Sequence, residues 1–237
     1  MHLLIDAGNS RLKYGLHDGR QWILQNDTNG LAPELLLPDG LIPTGIVVSN
    51  VAGAAVGQQI SKVIDSFAAP VEWLSASASR CGLINDYERP GALGSDRWAA
   101  AIAARRLTQS ECLVVSCGTA TTIDIVRADG HFAGGCILPG LQTMLDSLVR
   151  RTAGLPLSTG NLKLPPRNTH DAIATGCLLA QAGAIERMAR LLGDGAQIIL
   201  TGGNAERIKP HLQIAASLRP GLVLDGLLAV ALDSSTS

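Results

Sequence analysis

The 237-residue chain carries 19 lysine and arginine against 20 aspartate and glutamate residues, a formal net charge of -1. That balance offers no basic field to a nucleic-acid backbone, so a nucleic-acid partner is not expected. Neither a secretory leader nor an 18-residue uncharged apolar span is present, so the expectation is a cytoplasmic protein with no membrane partner.

Hydrophobic content of 46% with only 3% aromatics and 26 glycines points to an aliphatic α/β protein, large enough for one domain or two lobes. Cys81, Cys112, Cys117, Cys136 and Cys177 are odd in number and include no CxxC pair. Reduced, packed thiols are expected, and no zinc site, because the five histidines are scattered too.

Residues 2–15, HLLIDAGNSRLKYG, read as an apolar strand, a polar turn with glycine, and a returning strand. Asp6 ends the first strand, where a carboxylate can hold Mg²⁺ or orient a phosphate through water. Asn9, Ser10 and Arg11 bring an amide, a hydroxyl and a cation, with Lys13 on the return strand. An Asx-type turn beside a solvated Lys13 accounts for the same residues. A third strand is expected at 21–24, a connection over 26–44, a buried strand at 45–49, a helix at 58–67, a strand at 71–74 and a polar loop at 75–80.

In YERPGALGSDRW at 87–98, Pro90, Gly91 and Gly94 shape a loop, and Ser95 suits the N-cap of a helix over 96–106. Asp96 in the first turn fits the helix dipole. Beside Arg97 it equally fits a general base next to an anion clamp.

CLVVSCGTATTIDIV at 112–126 repeats the opening plan: buried strand, Gly-Thr-Ala turn, β-branched return strand. A shift of 110 residues places Asp6 on Ser116, Gly8 on Gly118 and Asn9 on Thr119. Two such units imply a duplicated architecture with boundaries at 1–111 and 112–237. A dinucleotide-binding unit fits less well, because its glycine turn opens into a helix, whereas extended sequence follows here. Beyond it, 134–140 is expected as a compact glycine loop, 141–149 as a helix and 152–167 as a surface crossing. Asn168 caps a helix reaching about residue 192, with Asp171 at its third position. The small residues Ala172, Ala174, Gly176, Ala180 and Gly183 on that helix suit close packing or a subunit contact, and Thr175 suits the packing face. A strand at 197–200 enters Thr201-Gly202-Gly203-Asn204, followed by helical 205–211 and an apolar helix at 223–232.

DAGNSRLK at 6–13, LGSDRW at 93–98, GTATTID at 118–124, GGCILPG at 134–140, NTHDAIATG at 168–176 and TGGNA at 201–205 occur in one order along nearly the whole chain. Together they resemble the type III pantothenate kinases, including the related Bvg accessory factor proteins, of the acetate and sugar kinase/Hsp70/actin superfamily. The resemblance implies two actin-like (ribonuclease H-like) duplicated lobes of mixed sheets flanked by helices, and a homodimer whose interface helps complete the substrate site. It implies transfer of the γ-phosphoryl group of ATP to the primary hydroxyl of pantothenate, with Mg²⁺ as cofactor, as the first step toward coenzyme A. Asp6, Ala7, Gly8, Asn9, Ser10, Arg11, Leu12 and Lys13 correspond to the first phosphate loop, with Asp6 on the metal–phosphate group. Thr119 corresponds to an ATP contact, and TGGNA to the segment near adenosine. Tyr87, Gly94, Ser95, Asp96, Arg97 and Thr175 correspond to pantothenate-binding residues, with Asp96 as catalytic base and Arg97 on the substrate carboxylate. Ser116 stands where the family usually has an aspartate contributing to a bound monovalent cation (K⁺ or NH₄⁺). A hydroxyl brings no charge, so only a modest dependence on that cation is expected. Ser10 replaces the usual threonine and keeps its hydroxyl. The alternatives are a kinase for another small alcohol and a regulatory accessory protein that keeps the fold.

Overall fold

The computed structural model describes residues 1–28, 37, 40–193 and 195–234. In chain order the elements are β1 (His2–Ala7), β2 (Leu12–His17), β3 (Trp22–Asp27), β4 (Gly45–Asn50), α1 (Ala54–Ile64), β5 (Val71–Trp73), β6 (Ser79–Arg80), β7 (Leu83–Asn85) and α2 (Ser95–Leu107). They continue with β8 (Cys112–Cys117), β9 (Ala120–Val126), β10 (His131–Pro139), α3 (Leu141–Arg151), α4 (Thr169–Leu192), β11 (Gln197–Thr201), α5 (Ala205–Ile208), β12 (Ser217–Leu218) and α6 (Leu222–Ser234). Single 3-10 turns follow α1 and α5 and precede α2. The chain forms two compact units: Met1–Gln109 with Asp129–Phe132 and Gly221–Ser237, and Ser110–Ala128 with Ala133–Pro220.

The first unit holds a sheet of order β3-β2-β1-β4-β5. β1 runs antiparallel to β2 and parallel to β4. Side chains alternate across a strand, and the sequence uses that alternation to give the two faces different tasks. Leu3, Ile5, Ala7, Leu12, Tyr14, Leu16, Ile46 and Val48 pack with Val56, Ile60 and Ile64 of α1. The intervening residues Leu4, Asp6, Val47 and Ser49 therefore face the other side, where α6 packs on β1, β2 and β4 and α2 packs on α6. The second unit repeats this strand order as β12-β11-β8-β9-β10, with β8 antiparallel to β9 and parallel to β11. Its core joins Leu113, Val115, Cys117 and Ile123 to Leu141 and Leu145 of α3 and to Ile173, Cys177, Leu178 and Ile185 of α4.

Several expectations are corrected. The apolar helix α6, expected in the second lobe, belongs to the first unit. α2 presents a run of buried alanines, and Gly226 of α6 lies so close to the Ala99 carbonyl that no β-carbon fits there. Complementarity of two small-residue faces decides this placement, and chain order does not reveal it. Residues 134–139, expected as a loop, form most of β10, because a neighbouring strand can pair a glycine-rich backbone without side-chain packing. α1 begins four residues early, after Gly53 at φ 95. Gly94 occupies the N-cap of α2, leaving Ser95 as its buried first residue with no capping bond. Most of the connection expected over 26–44 lies outside the described residues. All five cysteines are free thiols. Among the described residues no helix is long and apolar enough to cross a membrane.

Candidate active site

Directly paired residues of neighbouring strands share a face, so sheet register assembles rows of side chains. In the first unit, Asp27 pairs with Lys13, Lys13 with Asp6, and Asp6 with Ser49. The row Asp27–Lys13–Asp6–Ser49 thus crosses four strands at the carboxyl ends of β1 and β4, the usual location of ligand sites in open α/β sheets. Asp6 is buried, and its Oδ1 has no hydrogen-bond partner among the described residues. Burial, opposed by the Lys13 ammonium and reinforced by the Asp96 and Asp27 carboxylates, pushes the Asp6 carboxyl up to about 7. The turn beyond it, Gly8 to Arg11, is closed by the Gly8 N–H donating to the Arg11 carbonyl at 3.1 Å. Asn9, Ser10 and Arg11 are exposed, and Arg11 pairs with Asp27 at 2.9 Å.

The amino end of α2 lies on the same side of this sheet. Ser49 Oγ, fully buried, sits 2.9 Å from Ser95 Oγ. The Asp96 Oδ1 accepts from the Arg97 N–H at 2.8 Å. A β-carbon on Gly94 would lie 2.7 Å from that same oxygen, so a side chain here would displace the Asp96 carboxylate. Arg97 is buried, donates from Nη1 to the Tyr87 hydroxyl at 2.8 Å, and rests against the rings of Tyr87 and Phe132. Such a guanidinium is a strong receptor for a carboxylate, since two parallel N–H donors match its two oxygens. Asn85 was not singled out from sequence, yet it organises this loop. Its Oδ1 accepts from the Tyr87 N–H, and its Nδ2 donates to the Ser77 and Pro90 carbonyls. The first unit therefore brings together Asp6, Lys13, Tyr87, Gly94, Ser95, Asp96 and Arg97.

Thr119, Ser116 and Thr175 belong to the second unit. There the Gly118 N–H donates to the Ala120 carbonyl at 3.0 Å, the same closure as in the first hairpin with one residue fewer. The Thr119 carbonyl accepts from the Gly140 N–H at 2.9 Å and from the Thr143 hydroxyl at 2.7 Å. Gly140 abuts the Gly118 carbonyl with no room for a β-carbon. From the other side, Gly202 at φ 90 approaches the Cys117 backbone, and the Asn204 N–H donates to the Cys117 carbonyl at 3.0 Å. The Gly-Thr-Ala turn is thus clamped by main chain on two sides, leaving it rigid enough to meet a ligand with its backbone. The Gln181 side chain, also missed from sequence, anchors the end of β10 through the Pro139 carbonyl at 2.7 Å.

Thr175 is fully engaged. Its hydroxyl accepts from the Lys163 N–H at 3.0 Å and donates to the Lys163 carbonyl at 3.2 Å. Two turns earlier, Asn168 caps α4 through the Asp171 N–H at 2.9 Å, as expected. The Asp171 carboxylate accepts from the Asn161 N–H. Segment 158–163 is thereby strapped along the first two turns of α4.

Among the described residues no three histidine, cysteine or acidic side chains converge as a metal cage. Asp6, with a buried oxygen lacking a partner, nonetheless fits the way Mg²⁺ is held beside nucleotides, by one or two carboxylates plus phosphates. In the second unit Ser116 pairs with Thr122 on one side and Thr201 on the other, a row of neutral hydroxyls in which Thr122 Oγ1 is buried and has no partner among the described residues. Those oxygens suit a large monovalent cation but add no charge.

The family model for type III pantothenate kinase matches residues 2–191. A type III pantothenate kinase of Aromatoleum aromaticum is 43% identical over 244 residues, covering 100% of both chains. One from Dechloromonas aromatica is 42% identical, covering 99% of this chain and 100% of its own. Among solved structures, a conserved Baf family protein of Campylobacter jejuni superposes with a TM-score of 0.66 at 21% identity, covering 99% of this chain and 100% of its own, a likeness of fold. With a family model spanning most of its length and full-length relatives above 40% identity, the chain belongs to the type III pantothenate kinase family.

Proposed function

We propose that this protein transfers the γ-phosphoryl group of ATP to the primary hydroxyl of pantothenate, forming 4'-phosphopantothenate at the entry to coenzyme A synthesis. The observation that carries the reading is the polar row of the first sheet, ending beside the Asp96–Arg97 helix start in a chain of this family. Phosphoryl transfer is chiefly positioning and charge compensation, and the residues divide along those lines. Arg97, preset by Tyr87, receives the pantothenate carboxylate. Asp96 accepts the proton of the attacking hydroxyl and orients its oxygen. The turn 6–13 and the Gly-Thr-Ala turn with Thr119 present backbone N–H groups and hydroxyls to the phosphates. Asp6 would hold Mg²⁺ beside the nucleotide, where it would supply neutralisation of the triphosphate charge. Ser116 leaves any monovalent cation held by neutral oxygens, hence the modest dependence expected.

The like-ordered sheets of the two units support reading them as duplicated actin-like lobes. A homodimer is part of the same reading. Ala172, Gly176, Leu179, Ala180 and Gly183 form an exposed stripe of mostly small side chains along α4, where a second copy can approach closely. The test is an assay of purified protein with Mg-ATP and a panel of small alcohols. Phosphorylation of pantothenate in preference to sugars is the expected result, and turnover only with another alcohol would replace the proposed substrate.

A further inference from the structure

We infer that Ser49 is a positioning residue for phosphoryl transfer, holding the amino end of α2 and with it Asp96 in register with Asp6. This rests on the assignment of Asp96 as the base. Ser49 occupies the end of the polar row, directly beside Asp6 on the neighbouring parallel strand. It is fully buried, and its hydroxyl meets that of buried Ser95 at 2.9 Å. Ser95 is the first residue of α2 and does not use its side chain as a cap, so the hydroxyl is free to serve the sheet.

The consequences reach Asp96 through very short connections. Its Oδ1 is confined between the Arg97 N–H and Gly94, so the carboxylate moves with the first helical turn. Asp6 and Asp96 lie within each other's electrostatic field. The Ser49–Ser95 bond therefore ties the helix start that supports the base to the sheet position carrying the phosphate-side carboxylate. A purely structural serine would merely fill space here, and alanine would do that with little effect on chemistry. A positioning serine loses rate when its hydroxyl is removed, because displacement on the order of 1 Å at a reacting group costs up to about 100-fold.

Steady-state kinetics of Ser49→Ala, Asp96→Asn and the double variant test this, with thermal midpoints recorded alongside. Ser49→Ala is expected to lower kcat by roughly 10–100-fold while KM for ATP and pantothenate stays within about twofold. In the Asp96→Asn background the same change is expected to cost nothing further, since the group it positions is already lost. Should Ser49→Ala fail to fold, Ser95→Ala removes the same bond from the other side and is held to the kcat loss and its absence in the Asp96→Asn background, with no demand on KM because Ser95 is itself a proposed pantothenate-binding position. Normal kcat in either serine variant, or losses that multiply with that of Asp96→Asn, would overturn the inference while leaving Asp96 as base. Full-speed Asp96→Asn, or wild-type protein inactive on pantothenate, would instead overturn the assignment on which it rests and the inference with it.

Discussion

Asp96 and Asp6 sit in one unit and one electrostatic field, but their surroundings give them different chemistry. Asp96 is partly exposed at a helix start and hydrogen-bonded by the Arg97 N–H, as suits the base proposed to meet a substrate hydroxyl. Its replacement by asparagine is expected to slow turnover by about 10²–10⁴-fold, the usual range for a general base, with ATP binding retained. Steady-state rates and nucleotide titration of the purified variant check both parts. Asp6 is buried, and its carboxyl is pushed up from 3.8 to about 7. Between those values the folded protein keeps a proton that the unfolded chain has released, so stability falls as pH rises through the window and levels off above it. Without magnesium or nucleotide, wild-type protein should lose stability relative to Asp6→Asn between about pH 4 and 7, by ~4 kcal/mol at ~1.4 kcal/mol per unit. Denaturant titrations in EDTA measure this. Parallel stability curves would show that Asp6 is ionised throughout.

At the scale of elements, the strap over α4 makes a separate prediction. Gly160 lies against the His170 backbone where no β-carbon fits, while Asp171 and Thr175 hold Asn161 and Lys163 by their N–H groups. Gly160→Ala should lift segment 158–163 and abolish exchange protection of the Asn161 and Lys163 amides, while the amides of α4 beyond its first turns stay protected. Hydrogen exchange read residue by residue decides it. This strap was visible in sequence only as a surface crossing, because its bonds join backbone groups to side chains a dozen residues away. The two hairpins were legible for the opposite reason: alternation and turn residues are local signals, and register then brought Lys13 to Asp6. Gly94, Asp96 and Arg97 were singled out from sequence, but Ser49 and Asn85 were not. A lone serine or asparagine in a short buried strand has no distinguishing pattern, and its value comes from a partner elsewhere in the chain. β10 escaped because its glycines and proline suggest a turn, whereas pairing with β9 keeps it extended.

For the whole molecule, the proposed dimer follows from the α4 stripe. Gly176→Arg or Gly183→Arg places a long cation on the exposed face, where an added β-carbon meets no atom of the rest of the described chain within 4 Å, so neither should perturb the protomer fold. Both should shift sedimentation from dimer to monomer and reduce pantothenate turnover. A dimer that persists in both variants would move the interface elsewhere. The division of the chain has a consequence in time as well. Met1–Gln109 needs α6 to cover the face of its sheet, yet Ser110–Pro220 intervenes. On a translating ribosome, at roughly 5–20 residues per second, that insertion delays completion of the first unit by on the order of ten seconds. Throughout that interval Leu4 and Val47 of the nascent sheet and the alanine face of α2 are without their cover. Nascent chains arrested before α6 should accordingly be captured by chaperones that recognise aliphatic surface.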